Sequence, residues 1–404
     1  ALHYFVQLSR PRFGHESDRG GRRTTWIVGG MALLGLGGFI AASSTAVMAS
    51  TTLGGVALAT FGFLLIGAGV GACGTSLLVL LAGSVSPERR APAATLTWVM
   101  MIASFAITAT VAGHFLDPFS FERLMVVTGT VSVLALGVTI LATWGLEAAT
   151  AGAAAPVAEP EVRDEAKKSF GQALREVLSE SHTRAFALFV FISMLAYSAQ
   201  DLVLEPFAGA VYGLTPGEST QLGGKQHAGV LLGMLLVAVI GRLAGDRGQG
   251  VLRVCLVLGC IASAALIFTL ALSGVLGPPW PLEANVFLLG AANGAYAVAA
   301  ISSMMTLVSE GAEGHDGTRM GVWGAAQAIA FGLGGLAGTG AVDLVRWASE
   351  SVVAAYGVVF CAQAVLFLAA GWLAFRMPRE RTAHRTPAVE SAPLGNALAT
   401  AKPQ

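Results

Sequence analysis

The strongest constraint on this chain is a set of ten long apolar segments, each with about 20 or more residues, which recur along most of its length. A helix of about 20 apolar residues crosses a hydrocarbon core of roughly 30 Å. Only 12% of the residues are charged, against roughly 25% in soluble domains. We therefore predict an all-α polytopic membrane protein with spans at 25–47, 54–83, 91–115, 121–146, 184–207, 226–244, 251–274, 284–308, 319–342 and 352–375.

The predicted spans form two sets, separated by a segment at 147–183 that is rich in Ala and charged residues. A shorter apolar run at 1–8 is interpreted as the end of a further helix. On this interpretation the parent protein has two pseudo-symmetric six-helix halves, and the first helix and most of the second are missing here. The expected units are an incomplete N-terminal half at 1–146, a cytoplasmic linker with an amphipathic helix at 147–183, a C-terminal half at 184–377 and a disordered cytoplasmic tail at 378–404.

The basic residues are distributed unevenly between the two sides of the predicted membrane. Of the 24 Lys and Arg residues, all but Arg123, Lys225 and Arg346 fall in alternate loops or in the C-terminal tail. Because Lys and Arg concentrate in cytoplasmic loops, this pattern predicts a multi-pass protein with its C-terminus in the cytoplasm. We expect the lipid bilayer as a partner and no nucleic acid.

A basic motif before the first full span follows the pattern G-x-x-x-D-R-x-G-R-R. It resembles the cytoplasmic loop between the second and third helices of the major facilitator superfamily of transporters, in which charge contacts hold one conformational state. Arg10 and Arg12 fit simple topology determinants, whereas we predict a conformational role for the motif. A degenerate copy at 241–250 follows the equivalent span of the second half, as repeated halves would require. The motif residues are Gly14, Asp18, Arg19, Gly21, Arg22 and Arg23.

Ionisable groups within or next to the spans are few, and burying a charge in lipid is costly. Asp201 and Glu205 are four residues apart and share a helix face. They belong to a short segment, Gln200-Asp201-Leu-Val-Leu-Glu205-Pro206. We expect these acids to gather near the periplasmic face with His114, His227 and Glu283. Carboxylates with histidine suit a proton relay, a histidine suits an axial ligand of a chlorophyll magnesium, and an interfacial position without further function remains open.

The other polar candidates are uncharged, since no Arg or Lys projects from the middle of a predicted span. Such spans suit an apolar ligand, or packing against other membrane proteins, better than an anionic substrate. Walker loops, catalytic-triad spacing and HExxH motifs are absent from the sequence, so we do not expect an enzyme or a dedicated metal site. The remaining candidate ligand or gating residues are Asn293, Trp323 and Gln327.

Three segments, at 8–30, 198–220 and 321–335, resemble the PucC family, also called the bacteriochlorophyll delivery family, within the major facilitator superfamily. The core QD-x-x-LEP-[FY]-[AG]-G in the middle segment is the most diagnostic. The resemblance implies a facilitator fold in the bacterial inner or photosynthetic membrane. It also implies a role in light-harvesting complex assembly, with bacteriochlorophyll as the handled ligand rather than a tightly bound cofactor. Antenna polypeptides and bacteriochlorophyll biosynthesis proteins are the partners it implies.

Two other functions fit the same residues. The first is a proton-coupled exporter of a small hydrophobic solute, in which Asp201 or Glu205 carries the proton. The second is a scaffold that binds antenna polypeptides without touching pigment. The sequence does not separate a carrier from a scaffold.

Overall fold

The computed structural model describes residues 6, 23–85, 90–146, 179, 181–245, 248–310 and 316–377. Across these ranges the secondary structure is α-helical, and ten helices are long and apolar enough to cross a membrane. The predicted all-α polytopic class is therefore confirmed. The helices are α1 (Arg23–Met48), α2 (Thr52–Ser84), α3 (Arg90–Leu116), α4 (Phe121–Thr143), α5 (Ser181–Tyr212), α6 (Pro216–Leu243), α7 (Gly248–Leu276), α8 (Leu282–Glu310), α9 (Asp316–Ser349) and α10 (Val352–Arg376).

Several sequence predictions lie outside these ranges. They concern nearly all of the run at 1–8 and of the basic motif at 14–23, most of the linker at 147–183, and the tail at 378–404. Arg23 is the one motif residue within the described part of the chain, and it begins α1. The roles of the motif and the boundaries of the four units therefore remain predictions.

The start of α6 differs from the prediction. We expected a span from residue 226, but the helix begins at Pro216. The Thr215 side chain accepts a hydrogen bond from the Glu218 backbone, and the Glu218 side chain accepts one from the Thr215 backbone. This capping box satisfies N–H groups that a helix start leaves unpaired, and Pro suits the first helical position. The apolar window missed this turn because it is polar and rich in Gly.

The first four helices, α1–α4, form what we call the N-terminal group. Within it α1 packs along α2, and the backbones touch where Gly30 faces Gly69 and Gly37 faces Gly62. A Cβ added at any of these four positions would lie 2.6 to 2.9 Å from backbone atoms of the other helix. Small residues allow this close approach, which supplies packing energy in lipid. Helix α4 packs on α1 and has no buried residue.

The last six helices, α5–α10, form the C-terminal group and contain the main core. This core is built from large side chains that are almost completely buried, many of them aromatic. Its largest members are Trp323, Tyr296, Phe186, Phe189, Phe207, Phe360 and Phe367. Every buried member of this cluster comes from the C-terminal group.

Helices α6 and α8 are held together by glycines on both sides. A Cβ at Gly229 or Gly233 would collide with the backbone of α8, and one at Gly290 or Gly294 would collide with the backbone of α6. In each case the nearest atom is a carbonyl oxygen of the facing helix. The two backbones therefore touch directly along this contact, so neither helix can rotate without displacing the other.

The two groups meet where α3 packs on α6. Gly113 lies against the backbone of Gly217, and Gly224 lies against Thr110. At the end of this contact the Thr215 hydroxyl donates a 2.7 Å hydrogen bond to the Asp117 carboxylate. The α3–α6 contact thus joins the groups over several helical turns.

Candidate functional site

A three-residue turn between α5 and α6 positions the acidic residues that the sequence singled out. Gly213 ends α5 with a φ of 70°, a conformation that favours glycine. Its N–H donates to the carbonyl of Gly209, and the N–H of Leu214 donates to the carbonyl of Ala208. Thr215 then caps α6. The turn folds α6 back beside α5. A residue of α5 therefore lies near the residue of α6 that is the same number of positions away from the turn.

Asp201, Glu205 and His227 come together at this hairpin, and we call them the acid–histidine cluster. A carboxylate oxygen of Glu205 lies 3.3 Å from the position that a Cβ would take on Gly223. The Asp201 carboxyl interacts electrostatically with the His227 imidazole and with Glu205. Both acidic side chains are exposed, whereas His227 is half-buried.

The hydrogen bond of His227 fixes which ring nitrogen carries a proton. Nδ1 lies 2.9 Å from the carbonyl oxygen of Gly223, one turn earlier in α6. Because a carbonyl oxygen only accepts, Nδ1 is the donor. In the neutral imidazole the lone pair is then on Nε2. The Phe105 ring of α3 meets the imidazole edge to face, with ring centroids 5.5 Å apart, so both helix groups contribute to the surroundings of His227.

The cluster lies further from the ends of its two helices than we predicted. Asp201 precedes the end of α5 by about eleven residues, and His227 follows the start of α6 by about as many. At 1.5 Å per residue, this is roughly 16 Å along each helix. The sequence prediction placed His227 at the opening of its helix because it missed the turn that begins at Pro216. The structure therefore places this residue about three turns inside its helix rather than at the helix start.

Gln200 takes part in a separate buried network. Its Oε1 accepts a 3.1 Å hydrogen bond from Asn293 Nδ2, and Asn293 Oδ1 accepts a 2.8 Å bond from the Ser263 hydroxyl. All three side chains are buried. The network links α5, α8 and α7 inside the C-terminal group. Asn293 thus faces its own group rather than the contact with the N-terminal group, and sequence reasoning missed Ser263 because one Ser in an apolar helix gives no signal.

The remaining candidates lie apart from the cluster. Trp323 is buried, packs against Phe186 with centroids 4.9 Å apart and donates from Nε1 to the Thr183 carbonyl at 3.3 Å. These contacts are near the start of α5, about 25 Å along that helix from Asp201. Gln327 Nε2 lies 4.0 Å from the Met194 sulfur.

The two other residues expected in the same layer as the acids make different contacts. His114 contacts the ring of Phe115 and lies about 14 Å along α3 from Phe105. Glu283 forms a 2.6 Å ion pair with Lys225, which joins α8 to α6. Pro206 lies inside α5, which continues to Tyr212.

An exposed apolar stripe on α3 adjoins the cluster. Trp98, Met101 and Phe105 are 43%, 37% and 48% exposed. Their spacing of three and four residues puts them on one face of the helix, and Phe105 is the member that touches His227. The site thus combines an imidazole lone pair, two carboxylates and a flat apolar surface. Among the described residues, no set of three or more His, Cys, Asp and Glu side chains has metal-binding geometry.

Comparison with known proteins shows the fold and the family. The crystal structure of the E. coli fucose:proton symporter FucP matches with a TM-score of 0.57 at 17% identity, covering 94% of this chain and 90% of that one. FucP is described as a major facilitator superfamily transporter, so this likeness confirms the predicted fold. A Rhodobacter capsulatus protein named "Bacteriochlorophyll synthase 44.5 kDa chain" is 45% identical over 96% of this chain and 88% of its own length. "Protein PucC" of the same organism is 26% identical over 90% of this chain and 78% of its own length. The family model described as PUCC protein matches residues 1–382, and the chain belongs to the PucC family.

Proposed function

We propose that this protein takes part in the assembly of photosynthetic complexes by holding bacteriochlorophyll within the membrane. Membership of the PucC family supports this proposal. The name of the relative at 45% identity, which includes bacteriochlorophyll, supports it as well. That name also includes the word synthase. We infer a non-enzymatic role, because the fold is that of facilitator transporters and the wider family match is to PucC proteins.

The observation that carries the proposal is the position of the acid–histidine cluster. It lies within the spans, at the contact between the two helix groups, and beside the exposed apolar stripe of α3. A chlorophyll-type pigment is a flat apolar ring around a magnesium ion. It therefore needs a broad apolar surface and a few polar groups that fix its orientation. In this proposal the pigment is cargo, passed from the membrane site to antenna polypeptides.

The first test is the absorption spectrum of the protein, purified in mild detergent from a phototrophic host that lacks antenna polypeptides. A near-infrared bacteriochlorophyll band at about one pigment per chain would support the proposal. A colourless preparation would contradict it. In that case, antenna polypeptides that copurify with the protein from a host that does contain them would favour a scaffold.

A matched pair of variants tests the site in cells. Asp201→Asn replaces a carboxyl group of the cluster with an amide, while Asp343→Asn makes the same change at an exposed position near the end of α9. We expect antenna absorption to fall several-fold in the first variant and to stay at the wild-type level in the second. Equal antenna absorption in both variants would show that pigment handling does not need the Asp201 carboxyl group.

The same cluster supports one alternative function. Two carboxylates next to an imidazole within a span can accept and release a proton, which is the requirement for proton-coupled export of a hydrophobic solute. That function requires solute flux in proteoliposomes that follows an imposed pH gradient. Pigment handling requires no such flux.

A further inference from the structure

We propose that His227 Nε2 is the axial ligand of the magnesium ion of the handled pigment, and that the pigment ring lies against the exposed stripe of α3. This inference rests on the proposed function, since it concerns how a bacteriochlorophyll would be held. It assigns the ligand to one nitrogen of one residue and the ring to one helix face.

The first support is the hydrogen bond of the imidazole. Histidines that bind metals donate their other ring N–H to a carboxylate or a backbone carbonyl, which sets the tautomer and the direction of the ring. His227 has this arrangement, because Nδ1 donates to the Gly223 carbonyl at 2.9 Å. The neutral ring then directs the Nε2 lone pair away from its own helix backbone.

The second support is the surface next to the imidazole. Phe105 touches the His227 ring, and Met101 and Trp98 continue the same exposed face along α3. Two aromatic side chains and one thioether provide a polarizable surface for a flat conjugated ring. A magnesium ion coordinated by Nε2 would bring the tetrapyrrole next to this stripe.

His114 provides an internal comparison. It lies two residues before the end of α3, its ring contacts Phe115, and no hydrogen bond to a carbonyl orients it within the described structure. Its tautomer is therefore not set in the way that His227's is. Both residues are histidines next to a Phe. If substituting them affects pigment binding differently, the cause is therefore the hydrogen bond of His227 or its position in the fold, and not the loss of a histidine as such.

The experiment uses the purified full chain with two pigments, bacteriochlorophyll and its magnesium-free form, bacteriopheophytin. Three variants are compared with the wild type: His227→Phe, His227→Ala and His114→Ala. His227→Phe keeps a ring against Phe105 and removes both nitrogens, so it controls for packing. We expect both His227 variants to bind bacteriochlorophyll at least tenfold more weakly, while their affinity for bacteriopheophytin stays within twofold of the wild type. His114→Ala should bind both pigments like the wild type.

Two further measurements make the result specific. Free imidazole added to His227→Ala should restore bacteriochlorophyll binding. In the wild type, the Qx band should report an axial ligand on the magnesium, and uniform ¹⁵N-histidine labelling should shift the magnesium–nitrogen vibration. This labelling experiment applies even if neither His227 variant folds.

The outcomes separate the inference from the proposed function. If the wild type binds neither pigment, the proposed function fails. If the wild type binds bacteriochlorophyll and the His227 variants bind it equally well, or if labelled histidine leaves the vibration unchanged, pigment handling stands and the ligand assignment is wrong. Weaker binding of both pigments by His227→Phe would also overturn it, because that result indicates a packing role.

Discussion

The two helix groups use different means to hold helices together in the same membrane. In the N-terminal group, α1 and α2 approach through opposed glycines, and α4 has no buried residue. In the C-terminal group, large buried side chains fill the space between six helices, in addition to the glycine contact between α6 and α8. In lipid there is little hydrophobic drive between helices, so both groups rely on close contact.

The difference concerns which substitutions each group tolerates. Backbone contact through glycine is sensitive to any added atom, whereas a side-chain core is sensitive to atoms removed. His227 stands on a helix that has both kinds of support, since α6 is packed against α8 and also contributes to the core. The ligand candidate is therefore held by the more densely packed group.

The largest effect should follow from adding a side chain where two backbones touch. Gly233→Leu would push α6 away from α8, where a Cβ already collides with Ala291. We expect a loss of about 3 kcal/mol or more in the free energy of unfolding. A thiol-reactive dye in a thermal ramp can measure this, because none of the four cysteines is in a disulfide. Gly38→Leu is the control, since a Cβ there meets nothing within 4 Å, and equal melting temperatures for the two variants would contradict the contact.

The next effect tests the side-chain core. Phe360→Ala removes a completely buried ring that packs on Phe207 with centroids 4.9 Å apart. We expect a cost of about 3 kcal/mol, because the cavity it leaves is lined by partners that cannot all move in. Leu134→Ala, on the exposed surface of α4, should cost well under 1 kcal/mol. A comparable cost for both would mean that the two groups do not differ in packing.

A smaller effect is expected in the buried polar network. Asn293→Ala leaves Gln200 Oε1 without its donor and Ser263 Oγ without its acceptor. Hydrogen bonds between membrane helices are worth about 0.6 kcal/mol on average and up to about 1.7, so we expect a loss of 1 to 2 kcal/mol. A double-mutant cycle with Gln200→Ala should give a coupling energy of about 0.6 kcal/mol. Additive losses would show that the bond between the two amides contributes nothing.

The smallest effect concerns the contact between the groups. Asp117→Ala removes the acceptor of the Thr215 hydroxyl, and we expect a cost of about 0.5 kcal/mol because the bond is exposed. Thr215→Val should cost more, since Thr215 also caps α6. If the two variants were equally stable, the cap would add nothing beyond the contact with Asp117.

The sequence was sufficient for the class, the family and the ten spans, because long apolar runs and the segment around Gln200–Pro206 are local signals. The signal for the start of α6 is also local, since Thr215 and Glu218 form a recognisable capping box. A search for apolar segments did not detect it. We predicted that Asp201 and His227 lie close together, but not how far they lie from the ends of their helices. The bonds among Gln200, Asn293 and Ser263 depend on how three helices rotate about their axes, which no single segment determines.

The bond between His227 and Gly223 lies entirely within α6, whereas Phe105 approaches from the other helix group. A movement that separates α3 from α6 would therefore expose one edge of the imidazole without turning the ring. The direction of Nε2 would be the same before and after such a movement. Cargo bound at that nitrogen would stay with the C-terminal group while the α3 surface withdrew. It would lose its contact with α3 before its bond to His227, because His227 and the carbonyl that orients it belong to the same helix.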